Sequence, residues 1–342
     1  MSEIYQLPVT GPSAWKARDF ETNQSWIREF TADELDELHT ATLTLKATGK
    51  GPEEFGPDDF PLPAFSRTIA EIHNELAEGR GFVLLRGIDV DRYDQETLEL
   101  MFWGFQAHLG TIISQNSQGD LLGYVTDRGE NYELGSHYEN NIRGHRTRSE
   151  LNPHTDTCDV VGLLCVRPAK SAGTSSICSS MAIYNECQTQ HPEFIDPLTN
   201  GFHFDLIGKG SKEIEYTETR IPVFSFHQGY LSCRFNKRQI ELGMERSGKG
   251  LTDLEQAAID YVRELSVRED FLLHMDFRPG DIQLLNNHVA LHARNEYEDW
   301  PEAERKRLLL RVWINVPNGR PLAPNFANRL NSGDRGGVAK RA

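Results

Sequence analysis

The sequence predicts a mainly β fold with flanking helices (α+β), whose core is a double-stranded β-helix of the jelly-roll, cupin-like kind. Three observations predict it. From residue 153 onward the chain breaks into short apolar or alternating runs bounded by Gly, Pro and Asn. One helical pattern, LTDLEQAAIDYVRELSVRED, interrupts them. Further helical patterns are gathered before residue 110, suited to pack outside a closed sheet.

In chain order, the first 60 residues read as a helical extension. TADELDELHTATLTLKATG has an N-cap-like Thr31 and helical periodicity. KGPEEFGPDDFPLP is a Pro/Gly-rich connector, and AFSRTIAEIHNELAEGRG an amphipathic helix ending near Gly79 or Gly81. GFVLLRG is a buried strand, and YDQETLELMFWGFQAHLG another helix. Residues 111–150 are polar and turn-rich, and a loop of this length is more often functional than idle. The predicted strands are DVVGLLCVRPA, SSICSS, GFHFDLIG, IPVFSFHQ, YLSCRF, FLLHMDF, DIQLLNN and RLLLRVWINV. The tail RLNSGDRGGVAKRA reads as a frayed end that could instead cover a neighbouring subunit in a homo-oligomer.

Composition narrows the classes. Of 342 residues, 38% are apolar and 25% charged, as in a soluble globular protein. No apolar run reaches the ~18 residues that span a bilayer, which argues against a membrane partner. The N-terminus has no basic segment followed by an apolar core. Five cysteines form no C-x-x-C and an odd number cannot all pair, so a cytoplasmic, reduced setting is expected. The net charge of −15 argues against nucleic acid as the partner, and the expected partner is a small molecule. An anionic one would need locally placed arginines.

Six of the 12 histidines are followed two places later by a carboxylate: His73/Glu75, His137/Glu139, His154/Asp156, His191/Glu193, His203/Asp205 and His274/Asp276. Residues two apart share a face on a strand but not on a helix. Three pairs lie on predicted strands and remain candidates for a shared metal: His154/Asp156, His203/Asp205 and His274/Asp276. For each, the plainer reading is a hydrogen-bonded polar pair. A third ligand is offered by His292 in LLNNHVALHAR, whereas His288 sits beside the turn-like Asn286-Asn287. Two imidazoles and one carboxylate suit non-haem Fe(II), and the same set binds catalytic zinc. Arg307 and Arg311, four apart in RKRLLLRVWI, are co-facial on a strand. A solvated basic face is the ordinary reading, but an arginine within an apolar strand asks for an anionic partner.

With these motifs in hand, the chain resembles the taurine dioxygenase-like (TauD/TfdA) branch of Fe(II)- and 2-oxoglutarate-dependent oxygenases. The resemblance rests on GFVLLRG, PHTD, GLLCVRPAKSAGTSS, GDIQLLNNHVALHAR and RKRLLLRVW, in that order over roughly residues 80 to 316. It implies that His154, Asp156 and His292 bind iron. It implies that Arg307 grips the distal carboxylate of 2-oxoglutarate with help from the Ser175 hydroxyl. Where relatives often have Gly-Gly, this chain has Ala172-Gly173, so Thr174 and Ser176 compete with Ser175. Arg311 falls where some relatives touch an anionic substrate or the cosubstrate. The implied cofactors are Fe(II), 2-oxoglutarate and O2, with succinate and CO2 released. A carboxylate at Asp156 fills the place that a halide takes in related halogenases, which favours hydroxylation, desaturation or ring formation. The implied organisation is a catalytic jelly-roll over 61–320 with a helical insert around 236–270, after the 1–60 extension and before the 321–342 tail. Residues 112–150 and 208–250 are expected lids, with Asn116, His137, Tyr138 and Arg311 as substrate contacts, Arg311 tilting the substrate towards a carboxylate such as an amino acid. The alternatives are a zinc-dependent hydrolase with the same ligands and a cupin-like binding protein without turnover.

Overall fold

A computed structural model describes residues 7–129, 146–206, 209 and 215–340. The chain begins with β1 (Ile27–Glu29), α1 (Ala32–Lys46), α2 (Ser66–Ala77), β2 (Phe82–Arg86), α3 (Gln95–Ala107), β3 (Thr111–Ile113) and β4 (Leu122–Val125). Next come β5 (Leu151–His154), β6 (Val160–Arg167), β7 (Ser171–Ala172), β8 (Ser175–Ser179), α4 (Ser180–Gln190) and α5 (Ile195–Asn200). The last part carries β9 (Phe224–His227), β10 (Tyr230–Cys233), α6 (Lys237–Arg246), α7 (Asp253–Ser266), β11 (Leu272–Met275), β12 (Ile282–Asn286), β13 (Ala290–Arg294), β14 (Tyr297–Glu298), β15 (Leu308–Asn315) and α8 (Pro324–Ala327).

A major sheet runs β1-β2-β12-β6-β15-β3, with β4 also on β15, and a minor sheet runs β11-β8-β13-β5. Phe82, Leu84 and Leu285 of the first pack with Ile177, Met275 and Ala290 of the second, so the two sheets face each other. Strand alternation then sends the other residues outward. Val83, Leu85, Leu164, Leu284, Leu310 and Val312 meet α1, α2 and α3 behind the major sheet. Cys178 and Leu291 meet α4, α5, α6 and α7 behind the minor one. The result is a sandwich of two sheets between two helical layers, as the sequence predicts.

The N-terminal segment is built into this frame. Thr31 caps α1 in a reciprocal box with Glu34, and β1 adds a parallel strand beside β2. The described part of GFHFDLIG, residues 201–206, forms no strand. Phe202 and Asp205 make isolated bridges only, and Phe202 and Phe204 are packed in the helical layer. Their alternation reflects burial without a ladder. Helices α4 and α5 are additions to the sequence reading; SMAIYNECQTQ carries no strong apolar stripe, and its start is fixed by the Ser179 side chain accepting Ala182 N–H.

The tail is docked rather than frayed. Leu330 and Val338 pack with Trp313, Cys158, Val161 and Leu206. Val338 N–H donates to Ser114 O at 3.2 Å, and the Ser114 hydroxyl donates to Val338 O. Gly337 permits this approach: a Cβ there would lie 3.1 Å from Ser114 N. All five cysteines are buried and unpaired, and no helix of the described residues is long and apolar enough to cross a membrane.

Arg86 and Asp281 join β2 to the approach of β12 through two bonds of 2.8 Å, Asp281 being fully buried. Asp281→Ala should cost about 3 kcal/mol in urea unfolding, because it strands the guanidinium.

Candidate active site

His154 closes β5 and His292 lies at the centre of β13, and the two are direct cross-strand partners. Their rings lie 4.4 Å apart between centroids. Asp156 follows just beyond the strand end, where its N–H donates to the Asn287 side-chain oxygen at 3.1 Å. Its Oδ1 is 3.9 Å from His154 Nε2, and its Oδ2 is 3.7 Å from His292 Nε2. One ligand atom from each residue lies within 4.8 Å of the others, and no other such His/Cys/Asp/Glu trio occurs among the described residues.

The surroundings prepare these groups for a cation. His154 Nδ1 meets Asn152 O at 2.7 Å, which assigns Nε2 as the free acceptor. Burial lowers the pKa of His154, against the pull of Asp156. Burial also takes His292 down to about 3, helped by His154. Both imidazoles are thus neutral ligands at neutral pH. Burial works against ionising Asp156, but Arg311, His292 and His154 hold its carboxyl well below the usual range. Trp313 Nε1 donates to its Oδ2 at 2.9 Å, and Arg311 Nη1 lies 3.7 Å from the same oxygen. Two nitrogens and a carboxylate oxygen, all deprotonated and convergent, fit a divalent iron.

A cavity of about 60 Å3 opens beside His154 and His292 between the sheets, lined among others by Ser175, Arg294, Arg307 and Arg311. Outward-facing β15 residues Leu310 and Val312 leave Leu309, Arg311 and Trp313 to point inward. Arg311 Nε donates to Gln115 Oε1 at 2.6 Å, and Gln115 Nε2 returns a bond to Arg311 O at 2.9 Å. Arg307 is 3% exposed, and its Nη1 is buried without a hydrogen-bond partner. Burial lowers its pKa, opposed by Tyr297, Cys165 and Asp299. The Tyr297 ring is shared by two guanidiniums, Arg307 at 5.2 Å and Arg294 at 4.9 Å. Arg294 also donates to Thr147 O and Ser149 O at 2.9 and 2.6 Å. A pocket lined by buried guanidiniums, one with an unpartnered nitrogen, suits a carboxylate.

Residues 44–313 match the family model described as taurine catabolism dioxygenase TauD, TfdA family. The chain is 30% identical over 323 residues to FR-33289 synthase of Streptomyces rubellomurinus, covering 94% of each chain. The chain belongs to the TauD/TfdA family. As a TauD/TfdA member it is a non-haem-iron, 2-oxoglutarate-dependent oxygenase, and the zinc-hydrolase alternative falls away. A second relative is the taurine hydroxylase-like protein SAT17 of Stachybotrys chartarum, 26% identical over 306 residues, with 87% of this chain and 77% of that one covered. Solved structures agree on the fold. An asparagine oxygenase bound to Fe(II), hydroxyasparagine and succinate superposes with a TM-score of 0.66 at 14% identity, over 85% of this chain and 93% of its own. The non-haem iron oxygenase OrfP with Fe and α-ketoglutaric acid gives 0.61 at 15% identity, over 92% and 99%.

The structure separates the residues singled out in the sequence. Ser175 is the cross-strand partner of Arg294, as Ile177 is of His292, so all four share one face. Ser176 also borders the cavity, but its hydroxyl meets His274 Nδ1 at 2.9 Å. Thr174 donates to Asp276 at 3.1 Å on the exposed side. The competing pairs are engaged elsewhere. His203 Nδ1 meets Thr217 O at 2.7 Å while Asp205 pairs with Arg246 at 3.0 Å. His274 and Asp276 are taken up by Ser176 and Thr174. His288 meets Asp159 Oδ1 at 2.9 Å, away from the trio. Asn116 is not brought to the cavity; its side chain closes its own turn on Gln118 and Asp120. His137 and Tyr138 lie outside the described residues. Sequence reasoning missed Gln115, Asn287, Trp313 and Arg294. Trp313 and Arg294 carried a signal, each lying two residues, one strand period, beyond a singled-out residue, and Asn287 marked the approach to His292 without its own role being read.

Proposed function

We propose that His154, Asp156 and His292 hold Fe(II), and that Arg307 with Ser175 holds the distal carboxylate of 2-oxoglutarate. The enzyme then hydroxylates an unactivated C–H of a small carboxylate- or amino-acid-like metabolite, releasing succinate and CO2. The observation that carries this reading is the buried, unpartnered Nη1 of Arg307 in a cavity lined also by His154 and His292 of the His-Asp-His trio. When bound, the iron and the 2-oxo acid together supply the oxidising power for the reaction. The chain's own residues bind, orient and exclude water. Arg307 and Ser175 fix one end of the cosubstrate, which sets its direction towards the three ligands. Val125, Leu163 and Leu309 give that space apolar walls. Arg311, already near Asp156, offers a cation to a substrate carboxylate. The amino-acid complexes solved for asparagine oxygenase and for OrfP with L-Arg support an amino-acid-like substrate. Asp156 supplies the third ligand, so hydroxylation is preferred to halogenation. The catalytic unit is assigned to 61–320, and the five unpaired thiols support a reducing, cytoplasmic setting.

The deciding assay supplies Fe(II), ascorbate, 2-oxoglutarate and O2 with a panel of amino acids and carboxylates. Succinate above background is expected. Its absence across the panel would favour a binding protein without turnover. The hydroxyl assignment is tested by substitution. Ser175→Ala should raise the KM for 2-oxoglutarate about tenfold, in line with one lost bond to a charged group. Thr174→Ala and Ser176→Ala should each change it less than about twofold, since their hydroxyls are bonded elsewhere.

A further inference from the structure

Asp159 lies three residues after Asp156 and is buried. Burial works against its ionisation, but His288, Arg329 and Arg335 hold its carboxyl well below the usual range. Its Oδ1 meets His288 Nε2 at 2.9 Å and Arg329 Nη1 at 3.6 Å. Its Oδ2 accepts Val316 N–H at 3.0 Å and a bond from Arg335 Nη1. Its backbone is tied as well: Asp159 O accepts Asn287 N–H at 2.9 Å, and Asp159 N–H donates to Ile314 O at 3.1 Å. Asn287 in turn holds Asp156 N–H through its side-chain oxygen and donates to Cys158 Sγ at 3.1 Å. One carboxylate therefore joins the segment carrying Asp156, the turn that leads into His292, and the end of the strand carrying Trp313.

Two of its partners come from the C-terminal strap, residues 328–338, which lies beyond the family match at 44–313. The strap is shaped for this task. Asn331 and Arg335 adopt φ of 56°, a conformation that turns the chain back on itself. Arg335 also donates to Arg320 O, and Arg329 to Asn315 Oδ1 at 3.4 Å. Arg329 is fully buried, an expensive place for a guanidinium unless an anion needs it there.

We infer that Arg335 and Arg329 are positioning residues for the metal centre: through Asp159 they fix the Asp156 segment against the turn that leads into His292. The inference rests on the ligand assignment proposed above. Arg335 touches neither metal nor substrate. It acts on where the ligands stand, as outer partners of metal ligands generally do.

The test is a Co(II) titration of the full chain, followed by visible absorption, with folding checked by circular dichroism. Wild type should bind and His154→Ala should not. Arg335→Gln should bind about 10- to 100-fold more weakly, with shifted d–d bands. Arg335→Lys, which keeps a cation beside Asp159, should recover most of the loss. A purely structural strap would lower the melting temperature of Arg335→Gln and leave both Kd and spectrum of the folded protein unchanged; that result overturns the inference while sparing the ligand assignment. If Arg335→Gln does not fold, the same titration on Arg329→Gln decides. Failure of wild type to bind Co(II) would overturn the ligand assignment and this inference with it.

Discussion

His154→Ala is expected to abolish both metal binding and succinate formation, while His203→Ala and His274→Ala leave metal binding intact. His154 and His292 are cross-strand partners, so the minor sheet itself fixes their separation. Alanine at 154 leaves one imidazole and one carboxylate, and no other His/Cys/Asp/Glu trio among the described residues can take over. His203 and His274 already have partners in Thr217 and Ser176. Their loss would cost stability and spare the site. Iron binding can be read by equilibrium dialysis under anaerobic conditions, and turnover by succinate release. Intact binding in His154→Ala, or its loss in His203→Ala, would show that the wrong pair had been assigned.

Arg307→Gln should raise the KM for 2-oxoglutarate by about 100-fold or more. Truncating one side of a buried, bonded charge pair costs about 2–5 kcal/mol, and each 1.4 kcal/mol is tenfold. Arg307 is almost entirely buried, so solvent offers the distal carboxylate little substitute. Arg307→Lys should recover only part of the loss, because an ammonium cannot make a planar two-pronged contact. The affinity for Co(II) should hardly change, which separates this variant from those of the ligands. A KM within about threefold of wild type would assign the distal carboxylate to Arg294 instead.

The framework was legible because its signals are local. The Thr31 cap, the amphipathic stripe of α2 and the apolar β2 each announce themselves within a few residues. The His-x-Asp spacing was not selective, and six pairs shared it. What separates them is long-range pairing, His154 opposite His292, which composition and period do not encode. The ordered motifs supplied that order by resemblance. The inward direction of Arg311 was likewise hidden, since co-facial spacing does not say which face is inside. Gln115 gave no signal, and the bond from Asn287 to the Asp156 segment was not read, because an amide in a turn looks the same whether it closes a loop or grips a ligand. The Gly- and Arg-rich tail looked idle for a related reason: its cations are paired with Asp159, far away in sequence.

That pairing sets an order of events during synthesis. Arg335 follows Asp159 by 176 residues and lies beyond the end of β15 at Asn315, so it leaves the ribosome after every strand of both sheets. Domains fold as their residues emerge, N-terminal parts first, and both sheets can form while Asp159 still lacks its two arginines. On the ligand assignment proposed above, the metal site therefore takes its final geometry only once the strap has emerged and docked.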